Sequence, residues 1–467
     1  MLKLAFYGDD FTGSTDALEV LALAGMDCAL FLDVPDAQTL RDLGPFDAIG
    51  VAGASRAMSP AEMDTQLRPV LAAMARLPVP LVHYKVCSTF DSSPAIGSIG
   101  RVMDLSREAF GASAIPVVAA TPALGRYCAF GNLFARSATD GRVHRIDRHP
   151  IMSVHPVTPM HEADLARHLG AQTAMPVVGF SLPQFAQERA AMAAAFTRLV
   201  DETPGGAVLI DGTSTEQLTE TGHLLDALAQ GRRIPLFCVG GSGLEYALTQ
   251  WWRESGALAA APSSHESFDG VPQVLAVSGS ASPLSALQID AALAEGFVEL
   301  AVDAAALVAT ADPGAEQGRL AEQALRALRA GRSVLLHSAR GPQDPRIEAM
   351  LRALAGQGMG REQARHEGGR LLGQRLGDLV DALLRAHPVP RLLLSGGDTS
   401  SHVTQRLAPQ ALRVVARLAP GAPLCRAISR EPHLAQLELA LKGGQMGQPD
   451  YFVKALRGTA DARPSLH

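Results

Sequence analysis

Leu2-Lys3-Leu4-Ala5-Phe6-Tyr7-Gly8-Asp9-Asp10-Phe11-Thr12-Gly13-Ser14-Thr15-Asp16 opens with a mostly apolar run of the length of a buried strand. Segment 8–13 interrupts that run with two glycines. Asp16 then offers a helix cap, Glu19 follows three positions later, and Leu18, Leu21, Ala22 and Gly25 fall on one helical face. Strand, turn and helix make half of a βαβ unit. In open α/β sheets the ligand lies beyond the carboxyl ends of the strands, which is where this turn puts the adjacent carboxylates Asp9 and Asp10. The same two side chains also suit the backbone donors of a turn and a helix start.

Outward from this unit the alternation persists. Short apolar runs predict strands at 28–32, 48–52, 80–86, 115–120, 175–180, 207–211 and 234–239, and a second series at 274–278, 297–302, 334–337, 391–394 and 437–442. Helical periodicity fills the gaps, as over 61–76 and in the stripe Leu372, Leu376, Leu379, Val380 and Leu383, which ends before Pro388. This pattern predicts an α/β protein with mainly parallel sheets flanked by helices. A chain of 467 residues exceeds what one core usually organises, and periodicity vanishes over 256–272, GALAAAPSSHESFDGVP. Two domains are therefore expected, 1–256 and 273–467, joined by a linker at 257–272.

Composition removes several function classes. At 47% hydrophobic and 19% charged residues the chain is an ordinary globular protein, not a disordered one. A net charge of −6 without a basic stripe argues against nucleic acid as a partner. The five cysteines are scattered and form no CxxC pair, which suggests a reducing compartment and no structural zinc. Neither an export signal nor an apolar run of membrane-spanning length is visible, so the cytoplasm is the expected address.

Polar residues gather at the predicted strand ends. Arg56 follows the third strand, on the same rim as Asp9. Lys85 ends another, and Cys87-Ser88-Thr89-Phe90-Asp91-Ser92-Ser93-Pro94 is a denser polar cluster than a plain turn needs. Arg148, His149 and His155 lie in an irregular stretch, 140–159, without HxxxH or HExxH register, which favours a loop packed near the site over a metal centre. Glycine turns follow strands at Gly240-Gly241-Ser242-Gly243-Leu244, Gly279-Ser280-Ala281-Ser282-Pro283, Ser395-Gly396-Gly397-Asp398-Thr399-Ser400 and Gly443-Gly444-Gln445-Met446-Gly447. Such turns expose backbone N–H groups to an anion, or let a helix pack closely on a sheet. None is GxGxxG or GxxxxGK[ST]. Three of them fall in the second half, where they would line one rim of one sheet, and that convergence favours phosphate.

Taken together, the stretches 7–16, Tyr84-Lys85-Val86-Cys87-Ser88-Thr89-Phe90-Asp91-Ser92, 240–244, 395–400 and Ala440-Leu441-Lys442-Gly443-Gly444 resemble, in order and over nearly the whole chain, the four-carbon acid sugar kinases. The resemblance implies an N-terminal domain for the acid sugar, a C-terminal domain for ATP, Mg²⁺ bridging the phosphates through few protein ligands, and an active site in the interdomain cleft. It implies phosphorylation of a hydroxyl on a tetronate-like small molecule. The Lys-x-Cys-Ser-Thr-Phe-Asp form looks most like the 3-oxo-tetronate kinase branch, whereas threonate and erythronate kinases tend to carry Asp-Ser-Thr-Leu-Arg-Gly there. The segment 91–100 is longer than the family's usual Gly-Asn-Ile-Gly ending, which suits a pocket for a branched acid such as 3-oxo-isoapionate.

On this resemblance Arg56 would hold the substrate carboxylate, with Ser88, Thr89 and Asp91 also lining the sugar site. Lys85 would hold either that carboxylate or the transferred phosphoryl group. Asp9 or Asp10 would accept the hydroxyl proton, with Asp398 as a rival base. Ser278, Ser280, Gly396, Gly397, Asp398, Thr399 and Gly443 match ATP-binding positions; the protein ligands of Mg²⁺ and the oligomeric state stay open. A nucleotide-dependent oxidoreductase is disfavoured, because the first turn carries acids where a pyrophosphate needs glycines. A sugar-acid sensor without turnover would leave the three glycine turns of the second half without a purpose.

Overall fold

The first apolar run forms strand β1 (Leu4–Gly8), buried along its whole length. In the computed structural model, which describes residues 2–137, 140–155, 157–259, 267–310 and 313–458, helix Phe11–Leu23 follows at once. Its cap is Asp10 rather than Asp16: the Asp10 side chain accepts from the Gly13 N–H at 2.8 Å. Asp16 therefore sits inside the helix. The extended backbone of Asp10, φ −143°, lets the helix begin directly off the strand, so its N-terminal N–H groups belong to the strand-end rim.

The chain divides into two compact units, Met1–Ala261 and Pro262–His467. Of the expected linker 257–272, residues 260–266 lie outside the described residues. The first unit adds β2 (Cys28–Phe31), β3 (Ala48–Ala52), β4 (Leu81–Lys85), β5 (Ile115–Val118), β6 (Arg126–Ala129), β7 (Asn132–Arg136), β8 (Val143–Arg145), β9 (Val177–Phe180), β10 (Ala207–Ile210) and β11 (Leu236–Gly240). Seven of these join β1 in a parallel sheet of order β2-β3-β1-β4-β11-β5-β10-β9. Register puts Gly8 beside Ala52 and Lys85, and Lys85 beside Gly240, so four strands end in one row. β6, β7 and β8 form a small antiparallel sheet, of which only β8 falls within the stretch 140–159 expected to be irregular. Its strands are only three to five residues long, too short to show a period.

The second unit holds β12 (Leu275–Ser278), β13 (Val298–Ala301), β14 (Val334–His337), β15 (Arg391–Ser395), β16 (Ala411–Ala419), β17 (Ala422–Ile428) and β18 (Glu438–Lys442), in the order β13-β14-β12-β15-β18-β17-β16. The first five run parallel; β17 and β16 are antiparallel. Ser282 caps helix Pro283–Ala294 with Pro283 in its first turn, as the sequence predicts. The β16–β17 hairpin goes beyond the sequence reading. Its signal is the alternation of Arg413 and Arg417 with buried Leu412, Ala416 and Leu418, ended by Pro420-Gly421, where Gly421 has φ +71°. Among the described residues no helix is long and apolar enough to cross a membrane.

Candidate active site

Arg56 rises from a short 3₁₀ turn after β3 and meets both acids of the β1 turn. Its Nη2 and Nε donate to Asp9 Oδ1 and Oδ2 at 2.7 and 3.1 Å, while Nη1 and Nη2 donate to Asp10 Oδ2 and Oδ1 at 2.8 and 3.0 Å. The guanidinium is thus forked onto two carboxylates already. Asp10 also accepts from Thr12 Oγ1 at 3.0 Å and from Gly13 N–H. Burial opposes charge on both acids, yet their outcomes differ. In Asp10, Arg56, Lys85 and these hydrogen bonds outweigh burial and hold the carboxyl below its usual range. In Asp9 burial prevails over Arg56, and the neighbouring Asp10 charge helps to push it up.

Lys85 Nζ, nearly fully buried at the end of β4, lies 3.8 Å from Asp16 Oδ2. Burial pulls the ammonium down, but Asp16, Asp10 and Asp9 together hold it above its ordinary value, so it remains a cation. Burial raises Asp16 in turn, against Lys85 and the Ser242 hydroxyl. Three acids and two cations therefore share one rim. Asp16, read from sequence as a cap, is the member that sequence reasoning missed; its recurrence one turn and a half beyond Asp10 on a helix starting at Phe11 was the available signal.

The loop after β4 folds on itself. Phe90 takes φ +55°, Thr89 Oγ1 donates to Asp91 Oδ1 at 2.5 Å, and Cys87 Sγ lies 3.0 Å from Thr89 Oγ1. Burial, aided by Asp91, pushes the Cys87 thiol up to about 11. Ser88 abuts the β11 turn: its Cα is 3.2 Å from the place a Cβ on Gly241 would take. Two positions further on, a Cβ at Gly243 would overlap the Ala120 carbonyl oxygen. Backbone cannot yield there, so Gly243→Ala should cost about 2 kcal/mol or more of stability, read as a lower urea midpoint. His149 Nδ1 accepts from Ile151 and Met152 N–H, and His155 Nδ1 from Thr158 N–H, which ties both to their own loop.

In the second unit the three glycine turns touch one another. Gly396 has φ +110°, and a Cβ there would come 3.1 Å from Ser280 N; one on Gly279 would overlap Thr399 Oγ1, and one on Gly444 would overlap Ser280 Oγ. Ser282 and Ser285 hydroxyls both donate to Gly444 O, at 2.5 and 3.1 Å. Helix Gly397–Leu407 starts from this knot with Thr399 buried and Asp398 exposed in its first turn. Asp398 Oδ2 lies 3.8 Å from the place a Cβ on Gly369 would take. Below the rim, register aligns Ser278, Ser395 and Lys442. The two hydroxyls are buried without a partner among the described residues. Lys442, which no local sequence pattern marks as functional, is fully buried; its Nζ donates to Gly443 O at 3.1 Å and stands 5.6 Å from the Tyr451 ring centre. Burial, with no acid to offset it, brings its pKa down to about 7. Among the described residues no group of three or more His, Cys, Asp or Glu is arranged to hold a metal ion.

The chain matches two family models: a sugar-binding N-terminal domain over residues 4–248 and a nucleotide-binding C-terminal domain over 275–452. It is 43% identical to a 3-oxo-isoapionate kinase of Paraburkholderia graminis, over 98% of this chain and 94% of that one. A 3-oxo-tetronate kinase of Cupriavidus necator is 32% identical, over 97% and 96%. A solved structure from Salmonella typhimurium LT2, described as a putative tRNA synthase, superposes with a TM-score of 0.73 at 26% identity, covering 98% of this chain and 99% of that one. With both domain models matched in sequence order and relatives aligned end to end, the chain belongs to the four-carbon acid sugar kinase family.

Proposed function

We propose that the protein transfers the γ-phosphoryl group of ATP to a hydroxyl of a branched 3-oxo acid sugar, 3-oxo-isoapionate, in the cytoplasm. The likeness to the Paraburkholderia enzyme and the lengthened segment 91–100 support that substrate over 3-oxo-tetronate, threonate or erythronate. The observation that carries the chemistry is the divergence of Asp9 from Asp10. Both carboxyls accept from Arg56; Asp10 accepts from Thr12 and the Gly13 N–H as well and is held low, while Asp9 is raised by burial and is suited to take a proton.

Asp9 accepts the proton of the attacking hydroxyl, and Arg56 keeps its carboxylate aimed. Asp10 fixes the helix start and Arg56 together. Lys85 lends positive charge to the rim where the phosphoryl group arrives. Ser88, Thr89 and Asp91 line the sugar site. In the second unit Gly396, Gly397, Thr399, Ser280 and Gly443 cradle the phosphates at the rim, with Ser278 beneath it; at Gly397 no atom stands within 4 Å of where a Cβ would lie, which leaves room there. Lys442 meets the phosphate charge from below. The oxygen donors at hand, the Asp398 carboxylate and the Ser280 and Thr399 hydroxyls, fit a Mg²⁺ ion held mainly by the nucleotide, which would neutralise phosphate charge.

Incubation with ATP, Mg²⁺ and a panel of four- and five-carbon acids tests this by ADP release. We expect 3-oxo-isoapionate to give the highest kcat/KM. Preference for a linear acid would move the substrate within the family, and no ADP release with any acid would overturn the kinase reading.

A further inference from the structure

Arg126 opens β6, at the end of the turn that follows β5. Its Nη1 donates to the Leu124 and Arg136 carbonyl oxygens at 2.8 and 3.3 Å. Its Nε is fully buried and meets no acceptor among the described residues. Among the described residues no carboxylate pairs with it: the ionisable groups that act on it or feel it are Cys87, Tyr127 and His149. Arg126 as a whole is half-buried, but a buried Nε–H without an acceptor is costly, and burial disfavours the charge with no acid to restore it.

Thr121 supplies the second observation. Thr121 and Arg126 exchange both backbone hydrogen bonds, Thr121 N to Arg126 O at 2.9 Å and Arg126 N to Thr121 O at 3.1 Å, so their side chains leave the same side of the chain pair. Thr121 Oγ1 is also buried without a partner among the described residues. It lies 3.5 Å from the place a Cβ on Gly241 would take, where Ser88 also abuts. Cys87, the residue before Ser88, is felt by both Arg126 and Arg56. The unsatisfied donors therefore sit against the sugar-site loop, whereas Arg56 is already taken by two acids.

We propose that Arg126, with Thr121 beside it, binds the carboxylate of the acid sugar, and that Arg56 serves Asp9 and Asp10 instead. A planar carboxylate accepts from a guanidinium edge in a bidentate manner and supplies the charge this arginine lacks. A neutral sugar of the same size would leave those donors buried and unpaired, so the residue selects acids over ketoses. This rests on the kinase reading for its substrate class.

Two measurements separate the inference from that reading. Calorimetric titration with erythronate needs no turnover: wild type should bind it, and Arg126→Met should bind it at least about 30-fold more weakly, with Arg126→Lys in between. Steady-state kinetics with 3-oxo-tetronate should show the same rise in KM, kcat within a few-fold, an unchanged KM for ATP, and a smaller preference for the acid over erythrulose. Unchanged thermal melting and ATP KM in the Lys variant show that the fold is intact. Equal erythronate affinity in Arg126→Met and wild type, or no erythronate binding by wild type, overturns the inference even if the protein is a kinase. Absence of ADP release with weakened erythronate binding in the variant overturns the kinase reading and leaves the carboxylate site standing.

Discussion

Asp9→Asn should lower kcat about a thousandfold or more while leaving the KM for ATP within about twofold. The amide keeps the shape and one acceptor for Arg56 but cannot take the hydroxyl proton. Asp10→Asn should behave differently, because its carboxylate caps helix Phe11–Leu23 and holds Arg56. It should cost about 1 kcal/mol of stability with a smaller kinetic loss. Asp398 stands exposed in its helix, so Asp398→Asn should reduce kcat less than Asp9→Asn. The pH profile gives a second readout. Asp9 must be ionised to accept a proton, and burial raises its pKa, so the acid limb of kcat/KM should fall above the ordinary carboxylate range and vanish in Asp9→Asn. Near-normal turnover in Asp9→Asn, with a thousandfold loss in Asp398→Asn, would move the base to the second domain.

Lys442→Met should remove a proton that accompanies nucleotide binding. With a pKa of about 7 in the free protein, Lys442 is mostly neutral at pH 8, and phosphate nearby restores its charge. ADP binding at pH 8 should therefore take up close to one proton, measured by calorimetry in buffers of different ionisation enthalpy, and about none in the variant. Affinity for ADP should drop about tenfold or more in Lys442→Met. Stability follows with a definite sign. The folded pKa lies below the unfolded value near 10.4, so between pH 7 and that value the unfolded chain binds more protons and folding is favoured as pH rises. From pH 7 to 8.5 wild type should gain on Lys442→Met by about 1 kcal/mol per pH unit. Parallel stability curves for the two proteins would remove Lys442 from this role.

Most of the parallel strands were legible because they are buried on both faces and read as apolar runs, as Leu392, Leu393 and Leu394 do; the edge strands β9 and β13 are partly exposed. The clustering of Asp9, Arg56 and Lys85 followed from that, since strand ends of one parallel sheet share a rim. Which acid caps the first helix did not follow, because Asp10 and Asp16 both precede helical periodicity and only the backbone at Asp10 decides between them. The hairpin of β16 and β17 hid behind its arginines, and β6 to β8 behind their shortness. The partners of Arg56, the isolation of Arg126 and the burial of Lys442 depend on segments far apart in sequence, so no local pattern announces them.

Cys87 gives the site one further property. A thiol with a pKa of about 11 leaves roughly one molecule in ten thousand as thiolate at neutral pH, and only the thiolate attacks peroxide or an alkylating agent. A sulfur in this loop, within the field of Arg56 and Arg126, is thereby kept as the thiol, and an alkylating agent at neutral pH should modify it slowly.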